Sequence, residues 1–302
     1  RQRLLTFSLQ SKHLSSYEYL SQHVCLLIAE FEEIQLMLER LQKFLAGAGI
    51  GSRRECERFI EEGRVSVNGK LVTALGTVVD TEKNDISFDC APVQKERKIY
   101  YLLNKPKGYI CTNRDELDRL KAIDILENIT QRIYTIGRLD MESEGLLIVT
   151  NDGDLANKLS HPKFEVRKTY FVEVDGYITD AAIDALKSGV WLSFGKTNPV
   201  TVQHVRRGKK RSRFEMVLKE GKNREIRRML NDCGYKVQTL RRTKIGNLCD
   251  PELKVSKYRK LTPSEVMRLY TLAERNTQKS KYTPVAKKAK VRRTFARKNT
   301  NS

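Results

Sequence analysis

The stretch T-I-G-R-L-D-M-E-S-E-G-L-L-I-V-T-N-D-G-D, residues 135–154, decides how the rest of the chain is read. Ile136 and the run Leu146 to Val149 have the apolar character of buried strands. Between them lie Arg138, Asp140, Glu142 and Glu144, with Gly137 and Gly145 at the edges. A carboxylate on a loop between two buried strands is partly desolvated, which disfavours its charged form unless a cation stands nearby. Such a group is a candidate nucleophile or acid/base. Spacing alone leaves the plainer alternative open: Asp140 as a turn or cap residue, Arg138 as a surface cation, Glu142 and Glu144 as solvated acids. Two carboxylates this close also fit glycosidase-like work, but nothing else in the chain supports it.

Working outward, the periodicities alternate without a regular strand–helix rhythm. RIYTIG, GLLIVTNDG, VRKTYFVEVDG and VQTLRRTKIG read as strands. LDRLKAIDILENI, DGDLANKLSHP, TDAAIDALKSG, NREIRRMLNDCG and LTPSEVMRLYTLAE read as helices. Thr179 is a natural N-cap, and Thr262, Pro263 and Glu265 make a start signal for the last helix. HVRRGKKRSRFEMVLKEG reads as a long hairpin with a basic tip. The expected class is α+β, with a mixed, mainly antiparallel sheet flanked by helices.

Upstream, apolar residues at 38, 41, 44 and 45 make a helical face. Ser52 and Glu55 form a capping box for a second helix that carries Arg53, Arg54 and Arg58. Val65, Val67 and the pair Asn68-Gly69 then signal a tight hairpin. A helix, a helix and a hairpin within so few residues make a compact unit. Its row of guanidiniums suits a phosphate backbone; a helical dimerisation unit is the alternative. Residues 37–90 form this expected domain, 91–98 a charged Pro-containing linker, and 99–274 the main domain. Residues 1–36 match poorly with the patterns downstream of them. They read either as an upstream extension ahead of a natural start at Met37 or as a genuine helical extension.

The chain has 302 residues and a formal charge of +20. From Lys279 onward there are nine Lys or Arg and no acid, so residues 275–302 read as a basic, disordered tail. A basic body and tail favour a phosphate-rich partner. Six scattered cysteines without a CxxC pair, and four histidines never spaced i, i+4, argue against a zinc site and for a reducing, cytoplasmic compartment. No secretory signal, membrane-spanning run or phosphate-binding loop is visible.

The ordered set GRLDMESEGLLIVTNDGDLANKLSHP, RKTYFVEVDG and EGKNREIRRML resembles the RsuA/RluB family of ribosomal RNA pseudouridine synthases. RLQKFLA…GIGSRRECERFIEEGRVSVNGKLV resembles the small RNA-binding domain named after ribosomal protein four of the small subunit. The resemblance implies isomerisation of a uridine in ribosomal RNA, most like the large-subunit (23S) branch. It implies no metal, nucleotide or redox cofactor. The family's essential Asp falls on Asp140. Tyr170 falls on the tyrosine that stacks on the flipped base, although a core strand aromatic is the plainer reading of that residue. Arg227 falls on the cation that pairs with the catalytic Asp, and Arg224 competes for that role. Leu218 falls on the apolar residue lining the base pocket, and Arg138 on the arginine that holds displaced RNA. Arg228, Arg241, Arg242 and the tip RRGKKRSR are phosphate-contact candidates, against a plain solvated surface. A monomer is expected, since no heptad seam is evident. Two other readings stay open: the same chemistry on small-subunit rRNA or tRNA, and a non-catalytic ribosome-assembly factor.

Overall fold

The computed structural model describes residues 38–193 and 195–282. The expected extension at 1–36, and the tail beyond 282, lie outside the described residues.

The first unit begins with β1 (Leu38–Arg40), α1 (Leu41–Gly47) and α2 (Arg53–Glu61). Leu38 does not join the helical face expected of it. Its segment pairs antiparallel with β4 (Val78–Asp80), so the helix starts only at Leu41. Leu41, Phe44 and Leu45 then bury against Cys56 and Ile60 of α2. Ser52 and Glu55 cap α2 reciprocally: the Glu55 amide donates to Ser52 Oγ at 3.2 Å, and the Ser52 amide to Glu55 Oε2 at 2.7 Å. Between β2 (Val65–Val67) and β3 (Lys70–Leu71), Asn68 and Gly69 sit at φ +51° and +75°, the left-handed pair that a two-residue hairpin turn needs. β5 (Ile86–Phe88) and β6 (Ala91–Pro92) complete a sheet of order β3-β2-β5-β6. The segment read as linker therefore starts with a strand. An ion pair ties the two units together, Lys43 to Asp154 at 2.9 Å, and Lys98 of the connecting segment meets Asp152 at 3.2 Å.

The larger unit runs through β7 (Tyr100–Lys105), a 3-10 turn (Ala122–Ile125), β8 (Tyr134–Ile136), β9 (Glu144–Thr150) and α3 (Gly153–Ser160). It continues with β10 (Lys168–Asp175), α4 (Asp180–Ser188), a small ribbon of β11 (Trp191–Leu192) and β12 (Gly195–Lys196), β13 (Thr201–Arg206) and β14 (Arg211–Leu218). It closes with α5 (Glu225–Asp232), β15 (Val237–Ile245), β16 (Tyr258–Lys260) and α6 (Pro263–Tyr282). Two expectations are corrected. The helix read over LDRLKAIDILENI shrinks to the turn at 122–125, because its apolar residues do not share a face: Ala122 and Leu126 are buried while Leu117 and Leu120 are exposed. The last helix runs on to Tyr282, past the boundary at 274 where the basic tail was expected to begin.

One sheet of order β13-β14-β10-β15-β9-β7-β16 spans the unit, with β8 also paired to β9. All its pairings are antiparallel except β15 with β9. That parallel contact is only two residues long, Arg241 opposite Glu144 and Arg242 opposite Gly145. Further along, the same edge of β9 is taken by β8, from Ile136 opposite Ile148 to Tyr134 opposite Thr150. The sheet forks there, and the β8–β9 loop, residues 137–143, emerges at the fork. The crossing requires Gly145: its φ is +110°, and a Cβ there would lie 2.3 Å from the Arg242 carbonyl oxygen.

On one side of the fork, α4 and α5 pack on Tyr170, Val172, Val174, Phe214, Met216 and Leu240. On the other, α3 and α6 pack on Leu102, Leu146 and Ile148. The reverse of that second half carries Tyr101, Leu103, Leu147 and Val149 under the 3-10 turn. Strands β7 and β9 are thus covered on both faces, which explains their unbroken apolar runs.

Candidate active site

The fork opens into a cleft of about 510 Å³. Asp140 sits on its wall, with Arg138, Tyr170, Leu218 and Arg224 around it. Arg138 is exposed, Asp140 half-buried, and Tyr170 and Leu218 are buried at the cleft floor. Arg114, Arg119 and Lys222 add cations to the rim, partly offset by Asp115, Glu220 and Glu225.

The loop that presents Asp140 is fixed from below. Leu139 is buried beside it and donates its amide to Cys111 Sγ at 3.4 Å. Each of the next four carbonyls accepts a hydrogen bond. Asp140 O takes the Ser143 amide at 3.0 Å and Lys105 Nζ at 3.2 Å. Met141 O takes the Gly108 amide at 2.8 Å. Glu142 O takes Arg227 Nη2 at 3.2 Å, and Ser143 O takes Lys105 Nζ at 2.7 Å. The Asp140 carboxylate itself has no hydrogen bond or ion pair among the described residues. A backbone held this firmly under an unengaged carboxylate is preorganised to use that carboxylate on something else.

Lys105, the last residue of β7, is a residue beside the site that sequence reading passed over. It is wholly buried, and its ammonium also binds Pro106 O at 2.9 Å. Burial pushes its pKa down to about 8, against the pull of acidic neighbours that include Asp140. Lys105→Met is expected to cost about 3 kcal/mol, since three carbonyls lose a charged donor. It should also lower turnover more than RNA affinity. Because the native protein sheds this proton before the unfolded chain does, the group makes stability rise between pH 8 and 10.5. Urea midpoints measured across that range should climb less steeply in the variant than in the parent.

Arg227 is placed differently from expectation. It lies behind the loop, in a shallow recess with Lys107, Gly108 and Glu142, and makes no hydrogen bond or ion pair with Asp140. Its Nη2 also donates to Ser143 Oγ at 3.2 Å, and its Nε stands 3.6 Å from the Glu142 carboxylate. Burial pushes this guanidinium below its usual range, while the Glu142 and Asp140 charges oppose that push. Arg224, at the start of α5 with φ +51°, reaches the same Glu142 at 3.1 Å. Glu142, read from sequence as merely solvated, thus bridges both arginines. Glu225, the first residue of α5, accepts the amide of Lys222 from the preceding loop at 3.0 Å. Burial, with Glu220 beside it, pushes its carboxyl up to about 7.

Of the phosphate-contact candidates, Arg53, Arg54, Arg58 and Arg228 are exposed. Arg241 is exposed too, but lies outside the cleft, stacked over the Phe171 ring at 5.2 Å. Arg242 is corrected: it is 2% exposed and donates Nε to Leu146 O at 2.6 Å. Adjacent strand residues face opposite ways, so Arg242 turns inward to staple β15 to β9 and is withdrawn from any RNA. Among the described residues, no group of three or more His, Cys, Asp or Glu side chains is placed to hold a metal ion.

A small unit of two helices and six short strands with exposed arginines, joined to a forked sheet with a cation-rimmed cleft, defines a class of RNA-acting protein. Comparison with known proteins gives the class its name. Residues 99–232 match the family described as RNA pseudouridylate synthase, and residues 39–85 match the S4 domain. The ribosomal large subunit pseudouridine synthase B of Bacillus subtilis (strain 168) is 43% identical over 239 residues, covering 78% of this chain and 98% of the relative. An RNA pseudouridine synthase of Aquifex aeolicus (strain VF5) is 37% identical over 236 residues, covering 78% of this chain and 95% of the relative. A crystal structure of a pseudouridylate synthase superposes with TM-score 0.56 at 28% identity, over 76% of this chain and 99% of that one. The chain belongs to the RNA pseudouridylate synthase family. It is an isomerase that acts on RNA and turns uridine into pseudouridine. Among the described residues no helix is long and apolar enough to cross a membrane.

Proposed function

We propose that this enzyme forms pseudouridine at one uridine of large-subunit ribosomal RNA, as a cytoplasmic monomer, with Asp140 as its nucleophile. The observation that carries this is the unpartnered Asp140 carboxylate on a loop whose four carbonyls, from 140 to 143, are all engaged. Support for the target comes from the Bacillus subtilis relative, whose name specifies the large subunit and which is matched over 98% of its length.

The net reaction is an isomerisation. The bond between N1 and C1′ of the uridine breaks, a bond between C5 and C1′ forms, the C5 proton leaves, and N1 takes a proton. The target nucleotide must leave its stack to enter the cleft. Tyr170 offers the base a flat face beside Leu218, and Arg138 at the exposed rim suits the backbone phosphates. Asp140 attacks the extruded nucleotide; attack at the base and attack at the sugar carbon both use this one carboxylate. Arg227 serves as a positioning residue, gripping the loop through Glu142 O and Ser143 Oγ.

Pseudouridine mapping of total RNA from cells with and without the protein tests the target. One site should vanish from large-subunit rRNA. Loss of a site in small-subunit rRNA or tRNA would move the target, and loss of none would favour an assembly factor.

A further inference from the structure

Tyr170 and Phe171 are neighbours on β10 and face opposite sides of the sheet. Tyr170 enters the cleft. Phe171 lies on the reverse of the β13-β14-β10-β15 half, where the side chains stand outside the apolar cluster packed by α4 and α5. This face, which neither α4 nor α5 covers, has a specific chemistry. Glu173 is buried there and spends both carboxylate oxygens on arginines: Arg211 Nη1 at 2.8 Å and Arg213 Nε at 2.5 Å. Those contacts, Arg213 foremost, hold the Glu173 carboxyl below its usual range. The two arginine side chains remain 56% and 58% exposed. Each gives Glu173 one of its five N–H donors, so the buried acid orients two guanidiniums and leaves most of their donors for a ligand. Across the strand, the Arg241 guanidinium is already stacked on Phe171. A concavity of about 680 Å³ lies between, lined by Phe171, His204 and arginines that include Arg206.

We propose that this reverse face is a second RNA-binding surface, separate from the catalytic cleft, which takes a strand of the same RNA flanking the target loop. Guanidiniums held in place match phosphate oxygens bidentately. An arginine already held over an aromatic ring can share that site with a base, as single-stranded RNA recognition uses. Arginine rather than lysine lines the concavity, beside the Phe171 ring. That combination fits RNA better than an acidic peptide, which needs charge but no stacking platform. β13 is the edge strand of the sheet, so a flanking strand reaches this face by passing around that edge.

The proposal rests on RNA being the substrate, not on which uridine is modified. Arg211 and Arg213 are poor test positions, because removing either strands a buried carboxylate. Arg206 and Arg241 are exposed and accept no structural duty of that kind. The test is RNA binding by the full chain, parent against Arg206→Glu/Arg241→Glu. The probes are a minimal target stem-loop and the same stem-loop with long single-stranded flanks. Affinity for the flanked RNA should fall about tenfold, and the slope of log K against log salt should shrink by about 2. Affinity for the minimal stem-loop should stay within twofold. Equal weakening for both probes, or no change for either, overturns the proposal. So does preferential loss of binding to an acidic peptide competitor. If the parent binds both probes but modifies neither, the target assignment fails while the binding comparison still stands or falls alone.

Discussion

Asp140→Asn is expected to abolish pseudouridine formation, lowering turnover by at least about 10³-fold, as loss of a nucleophile does. The fold should be indifferent to it. Among the described residues no hydrogen bond or ion pair rests on that carboxylate, and the loop beneath it is held by backbone groups that Asn retains; only the longer-range attraction to Lys105 and Arg227 is lost. Stability should therefore change by no more than about 0.5 kcal/mol. RNA affinity should hold or rise, because a negative charge leaves a cleft meant for phosphates. Release of tritium from RNA labelled at uridine C5 reads the chemistry, and anisotropy reads the binding. A variant that turns over at the parent rate would remove Asp140 from the reaction. One that loses affinity and activity together would instead make it a binding residue.

Gly145→Ala should do the reverse, damaging the fold first. The Cβ would meet Arg242 O at 2.3 Å and Arg242 N at 2.6 Å, both backbone atoms that cannot swing aside. The φ of +110° adds strain for any L side chain. Relief requires parting β9 from β15, the two-residue parallel contact that joins the halves of the sheet. The expected loss is about 4 kcal/mol, or roughly 10 °C in melting temperature for a unit of this size. Activity should fall with it, since the loop of Asp140 leaves the sheet at that junction. Melting near the parent temperature would mean the crossing tolerates a wider gap than its geometry implies.

Local signals carried much of the architecture. The Ser52 and Glu55 box, the Asn68-Gly69 turn and the Thr179 cap are each decided within four residues, so they read directly from sequence. The mainly antiparallel sheet followed from strands and helices that lack a regular strand–helix rhythm. Reading failed where distant partners decide. The arginines at 241 and 242 look alike in sequence. Strand parity against β9, nearly a hundred residues away, exposes one and buries the other. Lys105 went unnoticed because the carbonyls that hold it at 140 and 143 are remote. The segment 117–129 has the apolar content of a helix, but Leu117 and Leu120 sit outside the core that takes Ala122 and Leu126. In the cleft, the motif residues Arg138, Asp140, Tyr170, Leu218 and Arg224 come together. The expected partnership of Arg227 with Asp140 gives way to one with Glu142, which no motif had singled out.

The consecutive bonded carbonyls of 140–143 leave that loop no spare length. Inserting or deleting one residue would shift every acceptor past its donor, so evolution can retune this enzyme only by exchanging side chains there. Freedom to choose a different uridine must then reside in other parts of the cleft wall, such as the stretch from Arg114 to Arg119. Chimaeras that swap that stretch between relatives are the natural way to redirect the enzyme while its chemistry stays in place.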